Sequence, residues 1–375
     1  MKSPLFEWHL AQGAKLADFG GWDMPIEYPQ GTGPQLPGGV LMEHAAVRER
    51  VGIFDVSHLG KMSVVGPGAK DFVNSILTND LRKISQGSAQ YNLICNEEGK
   101  VLDDLIVYEK SPDDIFIIPN AANCQSVFEV FRDKAPKEIV VTNLHQQYGV
   151  LAVQGPLAAD VLSDLGITLS LDYMSFTELV IPGHEELGSV IICRTGYSGE
   201  FGYELLPSWN SALPLWKLLV TSVESRNGRV CGLGSRDTLR TEMGYPLHGH
   251  ELSLNISALQ GGASWAIALD KPSFIGKAAL IAEKVEGVQR ASRALLCSDR
   301  GIPRAGMAVQ NLNGEIIGEV TSGTFSPNLK TGIALALIKP EYKSGSDHDQ
   351  VMIDVRGRLT AATVVKLPFV ASHVR

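Results

Sequence analysis

Residues 89–119 are the part of the sequence that most restricts the possible fold. They read AQYNLICNEEGKVLDDLIVYEKSPDDIFIIP, which is three apolar runs separated by the segments NEEG and SPDD. Runs of this length, bounded by Asn, Asp, Gly and Pro, are typical of strands joined by tight turns. The stretch therefore predicts three consecutive strands.

Two adjacent aspartates, Asp103 and Asp104, lie inside the second of these strands. Because successive side chains of a strand point to opposite faces, one carboxylate lies on each face. An unpaired charge that faces a core is very unfavourable, so such a group must be paired, protonated or next to a polar cavity. From the residues alone, a structural strand-end role and a functional role both remain open. The alternation does not say which aspartate faces inward.

The rest of the chain divides into two regions with different sequence patterns. With 375 residues it is long enough for two or three domains. Up to about residue 277, strand-like runs are interspersed with helical segments, which predicts an α+β body. Beyond it, short strands with Gly or Pro about every ten residues predict a small β-barrel or sandwich. The predicted helices cover residues 41–51, 69–77, 125–134, 157–165, 212–224 and 235–243.

A glycine-rich segment, CRTGYSGEFGYEL at residues 193–205, leads into a strand that carries Glu204. Its glycine spacing does not match a dinucleotide or phosphate loop, because those loops lead into a helix. The segment predicts a tight, irregular loop, and a hairpin with Glu204 at a sheet edge is the structural alternative.

The segment GLGSRDTLRTEMG at residues 232–244 predicts a short helix with Ser235 as its N-cap. Arg236 would then lie in the first turn, where the helix dipole disfavours a cation. That position suggests a specific partner for Arg236, which is either a bound ligand or a carboxylate in a surface ion pair.

Composition excludes several classes of function. The formal net charge is −8 and no basic run occurs, which argues against a nucleic-acid or membrane-surface partner. The five cysteines are widely spaced without a C-x-x-C, so neither disulfides nor a zinc site is predicted. The HGHE segment at 248–251 lacks the histidine spacing of a zinc protease and is interpreted as a polar loop. The N-terminus lacks a secretory pattern, and we expect a cytoplasmic protein without a metal.

Taken together, many segments of the chain resemble the T-protein, or aminomethyltransferase, family of the glycine cleavage system. The resemblance runs almost from end to end, and it is the order and spacing of the motifs that make it specific. The motifs are PLFEWHLAQGAKLADFGGWDMPIEYP, EHAAVRERVGIFDVSHLGKMSVVGPGA, LTNDLRKISQGSAQYNLICNEEGKVLDDLIV, LAVQGP, RTGYSGEFGYEL, SRDTLRTEMGYPLHGHEL, FIGKAAL, GEIIGEVTSGTFSPNL and LPFV.

The resemblance implies a folate-dependent transfer. Its donor is the aminomethyl group on the lipoyl arm of the H-protein, and its acceptor is tetrahydrofolate, with ammonia released. By the same resemblance Asp104 is the catalytic aspartate, Glu204 and Arg236 bind folate, and Tyr91 forms an aromatic wall of the site. Asp103 is expected to be structural. No metal is implied.

The family architecture implies three lobes around a central channel, within an α+β fold that ends in a barrel-like domain. We expect a discontinuous first lobe at 1–54 and 145–250. The second lobe is expected at 55–144 and about 251–276, and the C-terminal barrel at 280–375.

This chain departs from the family pattern at a few positions. Gln260 stands where Glu is common, and Lys100 where Gly is common. No tyrosine occurs near Val374, and the Pro/Gly-rich stretch 29–39 is longer than expected.

Two related proteins are the alternatives. One is a folate-binding iron–sulfur assembly factor, but its K-G-C motif is absent because residues 273–280 contain no Cys. The other is the folate domain of an amine-demethylating oxidase, but no dinucleotide fingerprint occurs in this chain.

Overall fold

The structure, a computed structural model, describes residues 1–32 and 37–375. Residues 33–36 lie outside the described residues, and with them the middle of the 29–39 stretch. Eight α-helices occur in the described part of the chain. They are α1 Phe6–Ala11, α2 Val40–Glu49, α3 Ala69–Ile76, α4 Cys124–Lys134, α5 Ala158–Asp164, α6 Ala212–Ser225, α7 Leu233–Met243 and α8 Lys277–Glu286.

The predicted three-strand segment supplies three of the strands of a five-stranded antiparallel sheet, which has the order β5–β6–β7–β4–β8. Its strands are β4 Met62–Val65, β5 Ala89–Cys95, β6 Val101–Ser111, β7 Asp114–Pro119 and β8 Val140–Asn143. The turn between β5 and β6 forms because Asn96 Oδ1 accepts the backbone N–H groups of Glu98 and Lys100, at 3.1 and 2.9 Å. Gly99 supplies the positive φ of +74° that this turn requires.

A second, six-stranded sheet has the order β10–β11–β12–β9–β3–β13 and is antiparallel except for the pair β3–β13. Its strands are β3 Gly52–Asp55, β9 Leu151–Gln154, β10 Phe176–Val180, β11 Ser189–Cys193, β12 Gly202–Leu206 and β13 Arg229–Cys231. A separate hairpin consists of β1 Lys15–Phe19 and β2 Trp22–Glu27. One face of the six-stranded sheet packs against α5 and α6. The hydrophobic core between them includes Trp216, which is fully buried.

The C-terminal strands close into a six-stranded barrel, so the chain forms a barrel rather than a sandwich. Its strands are β14 Ala291–Cys297, β15 Ala308–Gln310, β16 Ile316–Ser326, β17 Thr331–Ile338, β18 Gln350–Val355 and β19 Arg358–Val365. Arg240 of α7 connects the barrel to the body, because its guanidinium donates to Ser322 Oγ at 2.8 Å and to Glu251 Oε2 at 3.1 Å.

The predicted fold class, α+β with a C-terminal barrel, is confirmed. The predicted N-cap of α7 is wrong. The helix begins two residues earlier, at Leu233, with Gly232 as its N-cap, and the Ser235 hydroxyl donates to the Gly232 carbonyl at 2.8 Å. The lobe boundaries remain a prediction.

Two further features concern the described residues as a whole. All five cysteines are buried and free. Within residues 1–32 and 37–375, no helix has the length and apolar character needed to cross a membrane.

Candidate functional site

Asp103 points into the interior of the five-stranded sheet and has no exposed surface. Three N–H groups donate to its carboxylate: the Asn120 backbone to Oδ2 at 2.9 Å, and the Asn120 and Asn123 amides to Oδ1 at 2.9 and 2.7 Å. Burial and the neighbouring Asp104 raise the pKa of Asp103, although these three hydrogen bonds oppose the rise. Asp103 therefore holds the segment after β7 against strand β6.

Asp104 occupies the opposite face of β6 and is only half-buried. The Tyr91 hydroxyl donates to its Oδ2 at 3.0 Å, and the Asn120 amide donates to its Oδ1 at 2.9 Å. Tyr91 reaches it because Leu93, two residues along β5, pairs directly with Asp104. Burial raises the pKa of Asp104, whereas the bonds from Tyr91 and Asn120 lower it. The carboxylate is thus fixed in position yet still accessible.

Tyr91 also forms an aromatic wall beside Asp104. Its ring stacks on Trp265, with centroids 5.2 Å apart and an interplanar angle of 28°. Trp265 is 69% exposed, an unusual exposure for so large an apolar side chain. The two rings provide a flat apolar surface next to the carboxylate, a combination suited to a planar ligand.

Glu204 lies on the buried strand β12, where it is paired with Cys193 and Ala152 of the neighbouring strands. It is therefore in the interior of the sheet rather than at its edge. The Thr195 hydroxyl donates to Glu204 Oε2 at 2.5 Å. No basic side chain forms an ion pair with Glu204 among the residues that the structure describes. Its other oxygen, Oε1, remains available as a hydrogen-bond acceptor.

Arg236 lies at the end of the first turn of α7, half-buried, with its guanidinium 4.8 Å from the centre of the Tyr197 ring. In the described part of the chain its side chain makes no hydrogen bond and no ion pair, so the surface ion pair considered above is not formed. Burial lowers the pKa of Arg236, and the charge of Glu204 opposes that change. An unpaired, half-buried guanidinium is well suited to a ligand that accepts hydrogen bonds.

Tyr197 is the aromatic neighbour of Arg236. Its ring stacks on Tyr245 with centroids 5.6 Å apart, and its hydroxyl donates to the Pro246 carbonyl. Burial raises the pKa of Tyr197, and the charges of Asp104 and Arg236 act on it in opposite directions. Tyr197 and Arg236 therefore form an aromatic–cation pair, with the guanidinium 4.8 Å from the centre of the ring.

The sequence analysis did not identify Asn120, Tyr197 or Trp265 as site residues, and it assigned His248 to a polar loop. Tyr197 lies inside the glycine-rich segment, so an aromatic residue within an irregular loop was the available signal. Asn120 directly follows the third strand, but an Asn at a strand end is common for purely structural reasons. Trp265 had no recognisable pattern around it.

The positions where the chain departs from the family pattern lie outside this group of residues. The Gln260 amide donates to Glu283 Oε1 at 2.5 Å. Lys100 forms an isolated bridge with Ser257. The Val374 carbonyl accepts a hydrogen bond from the Arg194 guanidinium at 2.6 Å.

The whole site combines two carboxylates, a guanidinium and aromatic rings. Carboxylates accept from ring N–H groups, a guanidinium donates to ring carbonyl or nitrogen acceptors, and aromatic walls contact the ring faces. No group of His, Cys, Asp and Glu able to hold a metal ion occurs within residues 1–32 and 37–375. The side chains suit a flat, polar heterocycle.

Two models of known protein families together match nearly the whole chain. A family model described as the GCVT N-terminal domain matches residues 5–271. A second model, described as the glycine cleavage T-protein C-terminal barrel domain, matches residues 290–371. The second match coincides with the closed barrel.

Individual proteins give the same result. A relative from Parafrankia sp. named Aminomethyltransferase is 53% identical over 374 residues, which cover 100% of this chain and 99% of the relative. Another relative named Aminomethyltransferase, from Mycobacterium bovis, is 50% identical over 372 residues, which cover 99% of this chain and 97% of the relative. The solved structure of glycine cleavage system aminomethyltransferase T from Bartonella henselae is 32% identical, with a TM-score of 0.89, covering 100% of this chain and 99% of that one.

Proposed function

As a member of the glycine cleavage T-protein family, this chain is an aminomethyltransferase, and we propose that Asp104, Glu204, Arg236 and Tyr91 form its reaction site. The proposed donor is the aminomethyl group on the lipoyl arm of an H-protein. The proposed acceptor is tetrahydrofolate. The products are 5,10-methylenetetrahydrofolate, ammonia and the dihydrolipoyl arm.

The site residues fit a reduced folate. Arg236 has hydrogen-bond donors without partners in the described residues, and Glu204 has an oxygen that accepts no hydrogen bond. Together they complement the donors and acceptors along the polar edge of a pterin ring. Tyr91 and Trp265 contribute a stacked aromatic surface for the flat part of the same ligand.

Asp104 is the proposed catalytic residue. Tetrahydrofolate supplies the nitrogen atoms that accept the one-carbon unit. The ionised Asp104 carboxylate can orient such a nitrogen by accepting its hydrogen bond, and it can hold a proton while ammonia leaves. Tyr91 and Asn120 fix both carboxylate oxygens, so little reorganisation is needed during the transfer.

One observation carries the proposal. Of two adjacent carboxylates, Asp103 is fully buried and bonded only to amide N–H groups, whereas Asp104 is accessible beside the stacked rings of Tyr91 and Trp265 and accepts a hydrogen bond from the Tyr91 hydroxyl. A ligand can therefore reach Asp104 but not Asp103.

The partner and the location are part of the proposal. The lipoyl-carrying H-protein is the expected donor because family members act within the glycine cleavage system. A cytoplasmic location is supported by the five free cysteines, which suit a reducing compartment. The assembly-factor and oxidase-domain alternatives are not favoured, since full-length relatives at 50–53% identity are aminomethyltransferases.

The decisive experiment follows ammonia release from aminomethyl-loaded H-protein, with and without tetrahydrofolate. The wild-type chain should release ammonia and form methylenetetrahydrofolate. Asp104→Asn should retain folate binding but lose most of the transfer rate, about 100-fold or more.

Glu98→Gln is the matched control, because it removes one carboxylate from the exposed turn of the same hairpin. Its rate should equal that of the wild type. An Asp104→Asn enzyme that still works at the parental rate would refute the assigned role.

A further inference from the structure

His248 stands at the end of a series of hydrogen bonds that leads to Asp104. Its Nδ1 lies 3.0 Å from the Asn123 amide nitrogen, and its Nε2 lies 3.3 Å from the Val101 carbonyl. An amide NH₂ group can only donate, so Nδ1 accepts and the ring hydrogen on Nε2 is directed at the carbonyl. These two contacts select one neutral tautomer of His248.

The Asn123 side chain links His248 to the buried carboxylate of Asp103. Its amide nitrogen has two hydrogens, and one is donated to His248 while the other is donated to Asp103 Oδ1 at 2.7 Å. Both donors of the amide are therefore used. The two acceptors together fix the rotation of the Asn123 side chain.

Asp103 and Asn120 complete the path. The Asn120 amide donates to Asp103 Oδ1 and to Asp104 Oδ1, both at 2.9 Å. Asp103 has no cationic partner among the described residues, so amide N–H groups alone stabilise its buried charge. A shift of one amide would therefore change the hydrogen bonds on the next group along the path.

We propose that His248 is a positioning residue for the transfer reaction, acting on Asp104 through Asn123, Asp103 and Asn120. It makes no contact with substrate in this scheme. The inference rests on the proposed function, in which Asp104 is the catalytic carboxylate. It extends that function to a side chain on a different segment of the chain.

The loop that carries His248 is held by other contacts, so the His248 ring is not required for its conformation. The Gly249 N–H donates to the Leu252 carbonyl at 2.7 Å, and the Leu247 N–H donates to Glu251 Oε2 at 3.0 Å. His250 Nδ1 donates to the Thr321 carbonyl of the barrel at 2.7 Å. The loop thus stays anchored when position 248 changes.

Three variants test the inference. His248→Leu should lower kcat about tenfold while leaving the Kd for tetrahydrofolate within about twofold, because the change acts on Asp104 and leaves the proposed folate contacts of Glu204 and Arg236 in place. His248→Asn should recover most of the rate, since its amide oxygen can replace Nδ1 as the acceptor for Asn123. Leu254→Ala is the control, because this side chain is exposed six residues further along the same segment, and it should keep the wild-type kcat.

A double-mutant cycle with Asn123→Ala separates a shared path from independent effects. In the Asn123→Ala background, His248→Leu should cause no further loss of kcat, because the path is already interrupted. Additive losses would overturn the inference. So would a wild-type kcat for His248→Leu, or an Asn variant as slow as the Leu variant.

The outcome is distinguishable from a failure of the proposed function. If Asp104→Asn keeps the parental rate, the catalytic assignment itself is wrong. If Asp104→Asn is inactive and His248→Leu is unaffected, only the positioning role is wrong.

Discussion

Glu242, near the end of α7, joins three parts of the molecule through one buried carboxylate. Arg48 of α2 donates to its Oε2 through Nη2 at 2.9 Å and Nε at 3.2 Å. His44 Nε2 lies 3.2 Å from the same oxygen, and the Ser326 hydroxyl of the barrel donates to Oε1 at 2.5 Å. The Glu242 side chain has no exposed surface. Replacing it with Gln removes the charge and retains the shape.

The magnitude follows from the pKa. Burial alone would raise the pKa of Glu242, but the contacts with His44, Ser326 and Arg48 lower it to about 2. A carboxyl group shifted this far below its ordinary value stabilises the folded state by about 3 kcal/mol at neutral pH. Removing one partner of a buried ion pair costs a similar amount, about 3–5 kcal/mol. We therefore expect Glu242→Gln to lower the free energy of unfolding by about 3 kcal/mol.

Urea unfolding at pH 7 and pH 4 measures this effect. Since the folded-state pKa is lowered, the stabilisation is complete well above the ordinary pKa and is lost as the pH falls toward 2. The difference between wild type and Glu242→Gln should thus be about 1 kcal/mol smaller at pH 4 than at pH 7. Glu319→Gln, an exposed site on the barrel, should change little at either pH. A Glu242→Gln effect below about 1 kcal/mol, or one that does not shrink in acid, would refute this reasoning.

Three further outcomes are expected. Glu204→Ala should weaken tetrahydrofolate binding by about 1.5–3 kcal/mol, the contribution of a hydrogen bond to a charged group, and unchanged affinity in calorimetry would contradict its role. Burial raises the pKa of Asp104 above its ordinary value, so the transfer rate should fall as the pH drops toward that raised pKa and the carboxylate is protonated. Initial rates between about pH 5 and 9 measure this profile, and a flat one would contradict it. The buried Lys271 ammonium donates to the carbonyls of Asn74, Leu77 and Asn79, at 2.5–2.7 Å from Nζ. Lys271→Met should therefore lower the Tm measured by scanning calorimetry, because these three carbonyls lose their donor.

Local sequence signals were sufficient for most elements of the fold. The strands β5, β6 and β7 were predicted because their turns contain Asn, Gly, Pro and Asp at suitable positions. The starts of α3 and α6 agree with the predicted starts at residues 69 and 212. Helix α8 was missed, since the sequence after residue 277 was interpreted as short strands only.

The start of α7 shows why a local rule fails. Serine is a favoured N-cap, and Ser235 was chosen for that reason. In the structure a Cβ on Gly232 would lie 2.2 Å from the Ile26 carbonyl oxygen, so only glycine permits this approach to β2. The Gly232 N–H also donates to Glu43 Oε2 at 2.9 Å. These contacts between distant segments, rather than capping preference, determine where the helix begins.

A local sequence pattern is also insufficient for the two aspartates, because it does not show which of them is accessible. Alternation along β6 places Asp103 and Asp104 on opposite faces but is symmetric between them. The asymmetry comes from Asn120 and Asn123, which follow the next strand, and from Tyr91 on the preceding one. Because amide donors saturate the buried carboxylate, only the other one is left accessible to a ligand. Which aspartate is accessible, and is therefore proposed as catalytic, is determined by the sheet and its adjoining segments rather than by strand β6 alone.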